Sequence, residues 1–229
     1  MYKFQPVTER ITRMRERYRT APVILDAEHA RIVTEAYQAN EHEVALIKRA
    51  RTLYEVCKRR TLRVEDDELI AGNIATNYRG TSIWPEYGMG WLIRELDADT
   101  FDKRGTQLEH MLLSEEDRAY YRSIWPYWKE NSASSYVDRV MPPDFQNVIQ
   151  GGVLPHRATG NADMPTGHFS ANYKKVIEKG FGAIRAEAQQ KVEAMSGRIF
   201  GDSASSYIFY QSIVIVCDAA ILLSKRYAQ

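Results

Sequence analysis

The sequence predicts a mainly α-helical protein, because apolar residues recur at helix-compatible intervals through most of its 229 residues. Several of these segments also begin with a capping residue or an acidic first turn, and few segments alternate polar and apolar residues as strands do. Apolar residues make up 44% of the chain and charged residues 27%, which is typical of a globular protein with a packed core.

The first half of the chain predicts four helices in succession. They cover residues 8–20, residues 25–40 after Ala21-Pro22, residues 43–60, and a shorter stretch at 88–97. In the second of these, apolar residues fall on one face of a helix, which indicates packing against a core.

Residues 114–130 predict a further helix with a clear start. Ser114 can cap it, and the acidic residues that follow suit the positive end of the helix dipole. Pro126 lies inside this pattern and is expected to end or kink the helix, because proline lacks an N–H and its ring clashes with the preceding turn.

Residues 131–169 predict a long ordered loop packed over the body of the protein, interrupted at most by short helices. This stretch holds four of the eight prolines and four of the thirteen glycines. It also contains several large apolar residues, which is unusual for a disordered linker. Long irregular segments in compact proteins are usually functional.

Two strong helices follow, over about residues 173–195 and from about residue 203 to the end. Ser170 or Asn172 can cap the first, and Gly180 within it costs roughly 1 kcal/mol relative to alanine. The second is apolar nearly all round and therefore needs cover on every side. It has no terminating signal, which predicts packing partners encoded downstream; a C-terminal helix that frays is the alternative.

Charge and cysteine content exclude several classes of protein. The net charge of +1 provides no basic field for nucleic acid. Cys57 and Cys217 are far apart in sequence and form no disulfide framework. The most apolar stretch, residues 213–223, is too short to span a bilayer. We therefore expect a soluble cytoplasmic protein that binds neither nucleic acid nor membrane.

The residue types needed for familiar catalytic sites occur without the right spacing. His156, Asp163 and His168 could bind a metal, but they match no common zinc signature. Cys57 has basic neighbours that could lower the pKa of its thiol, yet a helix-surface cysteine of this kind is usually structural. Cys217 lies in an apolar helix face and is expected in the core.

The segment TSIWPEYG, residues 81–88, groups aromatic residues around Pro85 and Glu86. Such a turn could pin a loop, with Glu86 accepting hydrogen bonds from buried amides, or it could border a pocket. The sequence favours the structural role.

His168 stands between the turn residue Gly167 and the start of a helix. The positive end of the helix dipole disfavours protonation of an imidazole there. A neutral imidazole can hydrogen-bond a substrate hydroxyl or accept its proton. His168 is therefore a candidate substrate-binding residue, although a purely structural role is also compatible with the position.

Four segments, taken together and in order, resemble the N-terminal part of glycyl radical enzymes, the pyruvate formate-lyase superfamily. They are ELIAGNIATNYRGTSIWPEYG, WLIRELDADTFDKR, LSEEDRAYYRSIWPYWKENS and MPTGHFSANYKKVIEKGFGAIRAEA, beginning at residues 68, 91, 113 and 164. The resemblance covers nearly the whole chain and is closer to the dehydratase, C–X lyase and decarboxylase branch than to pyruvate formate-lyase itself.

The resemblance implies that residues 1–229 form the helical outer part of a longer enzyme with a ten-stranded α/β barrel. It also implies that this part contributes loops to the pocket, with residues 131–169 as the pocket-facing loop. Family members use a protein glycyl radical, installed by an activating enzyme with S-adenosylmethionine and an iron–sulfur cluster. That radical forms a thiyl on a cysteine, which abstracts hydrogen from a small-molecule substrate. By motif, Gly167 and His168 are the expected substrate-binding residues, and we expect a homodimer.

The family's two radical-bearing elements are not recognisable in this chain. Neither Cys57, in EVCKR, nor Cys217, in IVCDA, matches the family's Gly-Cys-x-Glu loop. The segment RIFGD, residues 198–202, resembles the radical-glycine loop only faintly, because Asp202 replaces an aromatic residue. The chain alone is therefore expected to be inactive. Two alternatives remain: a stand-alone helical interaction or regulatory module, and a small metal-dependent hydrolase using His156, Asp163 and His168.

Overall fold

The computed structural model of the protein describes residues 7–101, 111–150, 172–197 and 199–229. The expected mainly helical class is confirmed. The first helix, α1 (Glu9–Thr20), is capped by Thr8, whose hydroxyl accepts a hydrogen bond from the backbone N–H of Ile11. None of the residues of α1 is buried, so this helix is held through its polar side chains.

A short parallel sheet lies at the centre of the N-terminal half. Strand β1 (Val23–Asp26) pairs on one side with β2 (Gly80–Ser82) and on the other with β3 (Met111–Leu112). The prediction of a helix from residue 25 is wrong at its start, because residues 25 and 26 belong to β1. A four-residue strand has too few positions to show a pattern, and its partners come from distant parts of the chain.

Two helices pack on each other beside this sheet. They are α2 (Glu28–Ala39) and α3 (Ala45–Arg59). The predicted apolar face of α2 is buried, with Ile32, Val33 and Ala36 each less than 5% exposed. This face positions the polar residues of the same helix that border the cavity described below.

The main core lies between α2, the sheet and two further helices, α4 (Gly90–Asp97) and α5 (Glu115–Asn131). Trp128 of α5 is fully buried, and its indole N–H donates to the Thr34 hydroxyl at 2.9 Å. Ser114 caps α5 as predicted, with its hydroxyl accepting from the Asp117 N–H at 3.0 Å.

Helix α5 does not end at Pro126, which was one of the two expected outcomes, because the helix runs through it to Asn131. Pro126 lies on the exposed side of the helix. Water can therefore hydrogen-bond the Arg122 carbonyl that the missing N–H leaves free.

Part of the stretch expected as a loop is helical. It contains α6 (Ala133–Val140) and α7 (Pro143–Gln150), two short helices of the kind the prediction allowed. Ser132 both ends α5 and caps α6, with its hydroxyl accepting from the Ser135 N–H. Residues 151–169 of the expected loop lie outside the described residues.

The last two helices, α8 (Tyr173–Met195) and α9 (Asp202–Tyr227), pack against each other, and α9 also packs on α3. Asn172, one of the two residues predicted as the cap, caps α8. The end of α9 is anchored, because the Arg226 guanidinium donates to the carbonyls of Cys57 and Arg60 at 2.7 and 2.8 Å. The backbone of α8 is non-helical at Gly180.

Among the described helices, α9 is long and apolar enough to cross a membrane, judged by length and composition alone. The apolar stretch at 213–223 is too short for this, but the uncharged residues on either side extend it. This is weak support for a membrane span, since a helix that packs inside a protein passes the same test.

Candidate binding cleft

The segment between β2 and α4 is a tight turn that holds the start of α6. The Glu86 carbonyl accepts from the Ala133 N–H at 2.9 Å, and the Tyr87 carbonyl accepts from the Ser134 N–H at 2.9 Å and its hydroxyl at 2.8 Å. A Cβ on Gly88 would lie 2.4 Å from the Ser134 hydroxyl oxygen, so only glycine allows this approach. The turn therefore has the structural role that the sequence favoured.

The side chain of Glu86 does not accept from buried amides, as the sequence had suggested. Its Oε1 lies 3.5 Å from His29 Nε2, and its Oε2 is buried without a hydrogen-bond partner among the described residues. His29 and Glu86 are 10% and 16% exposed at their side chains. A buried carboxylate oxygen without a partner is unfavourable, and an ordered water, an ion or a catalytic role accounts for such groups in native structures.

Aromatic residues of the turn lie beside His29. The His29 ring lies against Trp84 with centroids 4.1 Å apart, and Trp84 lies 6.1 Å from Tyr87. Trp84 and Tyr87 remain 42% and 39% exposed. Two aromatic rings with accessible surface therefore border the cavity described below, and such rings attract cationic groups.

Tyr37 of α2 lies near both Glu86 and a cation. Burial raises the pKa of the Tyr37 hydroxyl, the negative charge of Glu86 raises it further, and the positive charge of Arg49 of α3 opposes the rise. Tyr37 therefore stays protonated at neutral pH. Its hydroxyl is a donor that lies within the fields of both charged groups.

These side chains line one cavity of about 360 Å³. Its apolar wall comes from α2, α3 and α9, and its polar rim comes from α2, α3 and the turn. The lining includes His29, Val33, Tyr37, Arg49, Leu53, Val56, Cys57, Arg60, Trp84, Glu86, Tyr87 and Leu223. A second cleft of about 810 Å³ shares Tyr37, Arg49, Glu86 and Tyr87 with it and extends toward α6. The shared residues connect the two spaces.

Both cysteines are free and buried. This confirms the expectation for Cys217, whereas the expectation that Cys57 lies on a helix surface is wrong. Burial raises the pKa of the Cys57 thiol, although the charges of Arg60 and Arg226 oppose it. Burial likewise raises the pKa of Cys217, and the Asp218 charge raises it further. Both side chains are therefore thiols at neutral pH, which does not favour a nucleophile.

The residues singled out for metal or substrate binding from the sequence, His156, Asp163, Gly167 and His168, lie outside the described residues. Within the part of the chain that the structure describes, no three acidic, histidine or cysteine side chains are grouped so as to hold a metal ion. The described cleft contains hydrogen-bonding and charged groups and is a candidate binding site.

Sequence analysis singled out Glu86 and its aromatic neighbours but missed His29, Tyr37 and Arg49. His29, Val33 and Tyr37 are spaced four residues apart on α2, which places all three on one helix face. Polar residues at both ends of an otherwise apolar stripe could have marked them. The contribution of Arg49 depends on how α3 packs on α2, which local sequence does not determine.

Comparison with known proteins gives a consistent family. The model of the family described as pyruvate formate lyase-like matches residues 6–229. Among curated proteins, a (2S)-3-sulfopropanediol dehydratase of Klebsiella oxytoca is 26% identical over 96% of this chain and 26% of its own length. A trans-4-hydroxy-L-proline dehydratase of Clostridioides difficile is 25% identical over 96% and 27%.

A solved structure agrees. The glycerol-bound B12-independent glycerol dehydratase of Clostridium butyricum superposes with a TM-score of 0.85 at 28% identity, covering 99% of this chain and 28% of that one. The chain spans about a quarter of the length of the curated relatives it matches.

Proposed function

Because the chain belongs to the pyruvate formate lyase-like family, we propose that it forms the N-terminal part of a glycyl radical enzyme that cleaves a small polar substrate. The reaction is an elimination: dehydration, or C–N, C–S or C–C cleavage. The observation that carries this proposal is the match over residues 6–229, together with relatives named as dehydratases, sulfite-lyases and a decarboxylase.

In this proposal the catalytic cysteine and the radical glycine belong to a part of the longer protein beyond these residues. The burial of Cys57 and Cys217 supports the view that neither is the catalytic cysteine, since a thiol that receives a radical must reach the substrate. Gly201, in the segment that faintly resembles the radical loop, stands in the turn before α9 with φ of 58°. Because the backbone of this turn favours glycine, Gly201 has a structural explanation that does not involve radical chemistry.

Gly167 and His168 are proposed to border the substrate. In the sequence, His168 comes four residues before Asn172, the residue that caps the N-terminus of α8. There a neutral imidazole can orient a substrate hydroxyl or hold its proton.

The proposal also implies partners. A radical-installing enzyme that uses S-adenosylmethionine and an iron–sulfur cluster would activate the longer protein, the substrate would be a small molecule, and the assembly would be a cytoplasmic homodimer. One glycyl radical enzyme, from Archaeoglobus fulgidus, covers 96% of this chain with a TM-score of 0.79 at 27% identity.

The test uses the longer protein, activated anaerobically, with His168→Ala and the matched control His42→Ala. His42 is exposed. We expect His168→Ala to lower turnover at least tenfold while the spin count of the glycyl radical is unchanged, and His42→Ala to leave both unchanged. Candidate substrates are those of the relatives: glycerol, 1,2-propanediol, trans-4-hydroxy-L-proline, 3-sulfopropanediol and isethionate. Unchanged kinetics of His168→Ala would remove this residue from the substrate site.

A further inference from the structure

One face of α3 presents an apolar strip with a guanidinium group at each end to the cavity of about 360 Å³. Arg49, Leu53, Val56 and Arg60 follow one another at steps of four, three and four residues, which places them on one side of a helix. All four line the cavity. Their Cα atoms span about 16 Å, since a helix rises roughly 1.5 Å per residue. This wall of the cavity is therefore elongated.

The apolar side chains around this strip keep much of their surface accessible. Leu53, Ile74 and Trp84 are 42%, 62% and 42% exposed, although all three line the cavity. Val33 of α2 and Leu223 of α9 complete the apolar wall. Accessible apolar surface with a charged rim is one mark of a ligand-binding groove, and the volume of the cavity lies in the usual range for small ligands.

The two ends of the strip differ in their electrostatic surroundings. Arg49 is exposed and lies with Glu86 in the region where this cavity meets the wider cleft. Arg60 is half-buried and lines the smaller cavity alone. Among the described residues, neither arginine forms an ion pair with an acidic side chain. An anion beside Arg49 would meet bulk water and the charge of Glu86, so Arg60 is the better partner for an anion.

The end of α3 does not cancel the attraction of Arg60 for an anion. Arg60 is the C-cap of this helix, and the free carbonyls at a helix C-terminus disfavour a nearby anion. The Arg226 guanidinium donates to the carbonyls of Cys57 and Arg60 at 2.7 and 2.8 Å. These hydrogen bonds occupy two of the carbonyls and bring a second positive charge to the same end of the helix.

We propose that this cavity binds a linear aliphatic carboxylate, the anion of a medium-chain fatty acid. Its carboxylate pairs with the Arg60 guanidinium, and its chain contacts Leu53, Val56 and Trp84. The elongated wall fits a linear chain better than a compact ring. A cation of the same shape is disfavoured, because the two arginines outnumber Glu86, the single acidic side chain among the described lining residues. This inference does not depend on the radical chemistry proposed above.

The test measures binding of decanoate to the 229-residue chain by calorimetry, beside two related molecules. Hexanoate has a shorter chain, and decylamine has the opposite charge. We expect saturable binding of decanoate, with hexanoate at least tenfold weaker because fewer methylene groups are buried. Decylamine should also be at least tenfold weaker. Binding of decylamine as tight as that of decanoate would overturn the proposal, as would no saturable binding of decanoate below the concentration at which it forms micelles.

Substitution of the arginines tests which end of the strip holds the carboxylate. Arg60→Gln should weaken decanoate about tenfold, whereas Arg49→Gln should weaken it less than about threefold. The matched control is Arg59→Gln, which removes the same charge from a residue that pairs with Glu35 and does not line the cavity. It should leave the affinity within about twofold. A larger loss in Arg49→Gln than in Arg60→Gln, or a tenfold loss in Arg59→Gln, would contradict the assignment to Arg60.

A pair of leucines on α3 tests whether the aliphatic chain lies in the cavity. Leu53 and Leu46 are almost equally exposed, at 42% and 43%, but only Leu53 is a lining residue. Leu53→Gln should weaken decanoate about fivefold, and Leu46→Gln should leave its affinity within about twofold. Equal losses in the two variants would show that decanoate adsorbs to exposed apolar surface in general, which would overturn the proposed site.

Discussion

Two acidic side chains near the parallel sheet illustrate opposite uses of a buried carboxylate. Asp26, at the end of β1, accepts hydrogen bonds from the Thr76 N–H and hydroxyl, the Ser82 hydroxyl and the Glu28 N–H. It ties together two strands and the start of α2. Glu86 has no such set of donors. The Asp26 carboxylate is held by four donors, whereas the Glu86 carboxylate has only the long contact of 3.5 Å to His29.

Gly180 is a second residue whose role follows from local geometry, in this case that of the backbone. It breaks the helical backbone of α8 with φ of 73° and ψ of 162°, a region that is essentially restricted to glycine. Lys175, before the break, and Glu187, after it, form an ion pair at 3.2 Å across this kink, and Lys179 pairs with Glu187 at 2.6 Å. The kink is therefore a defined feature of α8.

Gly180→Ala is expected to destabilise the chain by about 1–3 kcal/mol, since the added Cβ has open space around it and only the backbone conformation is strained. The matched control is Gly182→Ala, which also has open space but lies in regular helix. It should stabilise by about 0.5–1 kcal/mol. Urea unfolding of the two variants checks this, and equal effects of the same sign would contradict the kinked geometry.

At the scale of elements, the helices were predictable where they carry periodic apolar faces or capping residues, as α2 and α5 do. Strand β1 could not be predicted, because its strand conformation depends on pairing with residues about 55 and 88 positions away in the sequence. The turn at residues 81–88 stood out by composition. The cleft could not be recognised in the sequence, because it forms only when α2, α3 and this turn come together in the fold.

Helix α1 depends on charge for its attachment. It has no buried residue, and its arginines pair with the loop before β2: Arg13 with Asp67 at 2.8 Å, and Arg17 with Glu65. The hydrogen bond from Arg13 lowers the pKa of Asp67. Because the pKa in the folded state is below the unfolded value, this stabilisation is present at neutral pH and is lost as pH falls from about 4 through the lowered pKa.

Hydrogen exchange should therefore show α1 detaching under conditions that leave α3 protected. At 1 M NaCl the screening length is about 3 Å, so amide protection of residues 9–20 should fall several-fold relative to that of α3. Asp67→Asn should produce the same loss at low salt and neutral pH. Protection of α1 that is indifferent to salt and to this substitution would show that apolar contacts hold it.

At the scale of the whole molecule, the core lies between α2, the sheet, α4 and α5, while α8 and α9 form a second layer upon α3. The second layer is the less covered one. Phe209 and Val216 of α9 are 51% and 37% exposed, and Ile177 of α8 is 82% exposed. In the proposed longer enzyme, this is the surface available to the remainder of the protein.

The 229-residue chain should consequently bind the apolar dye ANS in its native state. Replacing Phe209 and Val216 with serine should at least halve the dye fluorescence. Tyr18→Ser on α1, which removes a side chain 54% exposed, is the control and should leave it nearly unchanged. Equal dye fluorescence in all three proteins would show that α9 is not the accessible apolar surface.

The most direct test of the glycyl radical assignment is electron paramagnetic resonance after anaerobic activation, comparing the longer protein with the 229-residue chain. The account predicts the doublet of a glycyl radical in the longer protein and none in the chain alone. A glycyl doublet from the chain alone, abolished by Gly201→Ala, would contradict it and make the turn before α9 the radical site. Absence of a glycyl signal in the activated longer protein would contradict the proposed function as a whole.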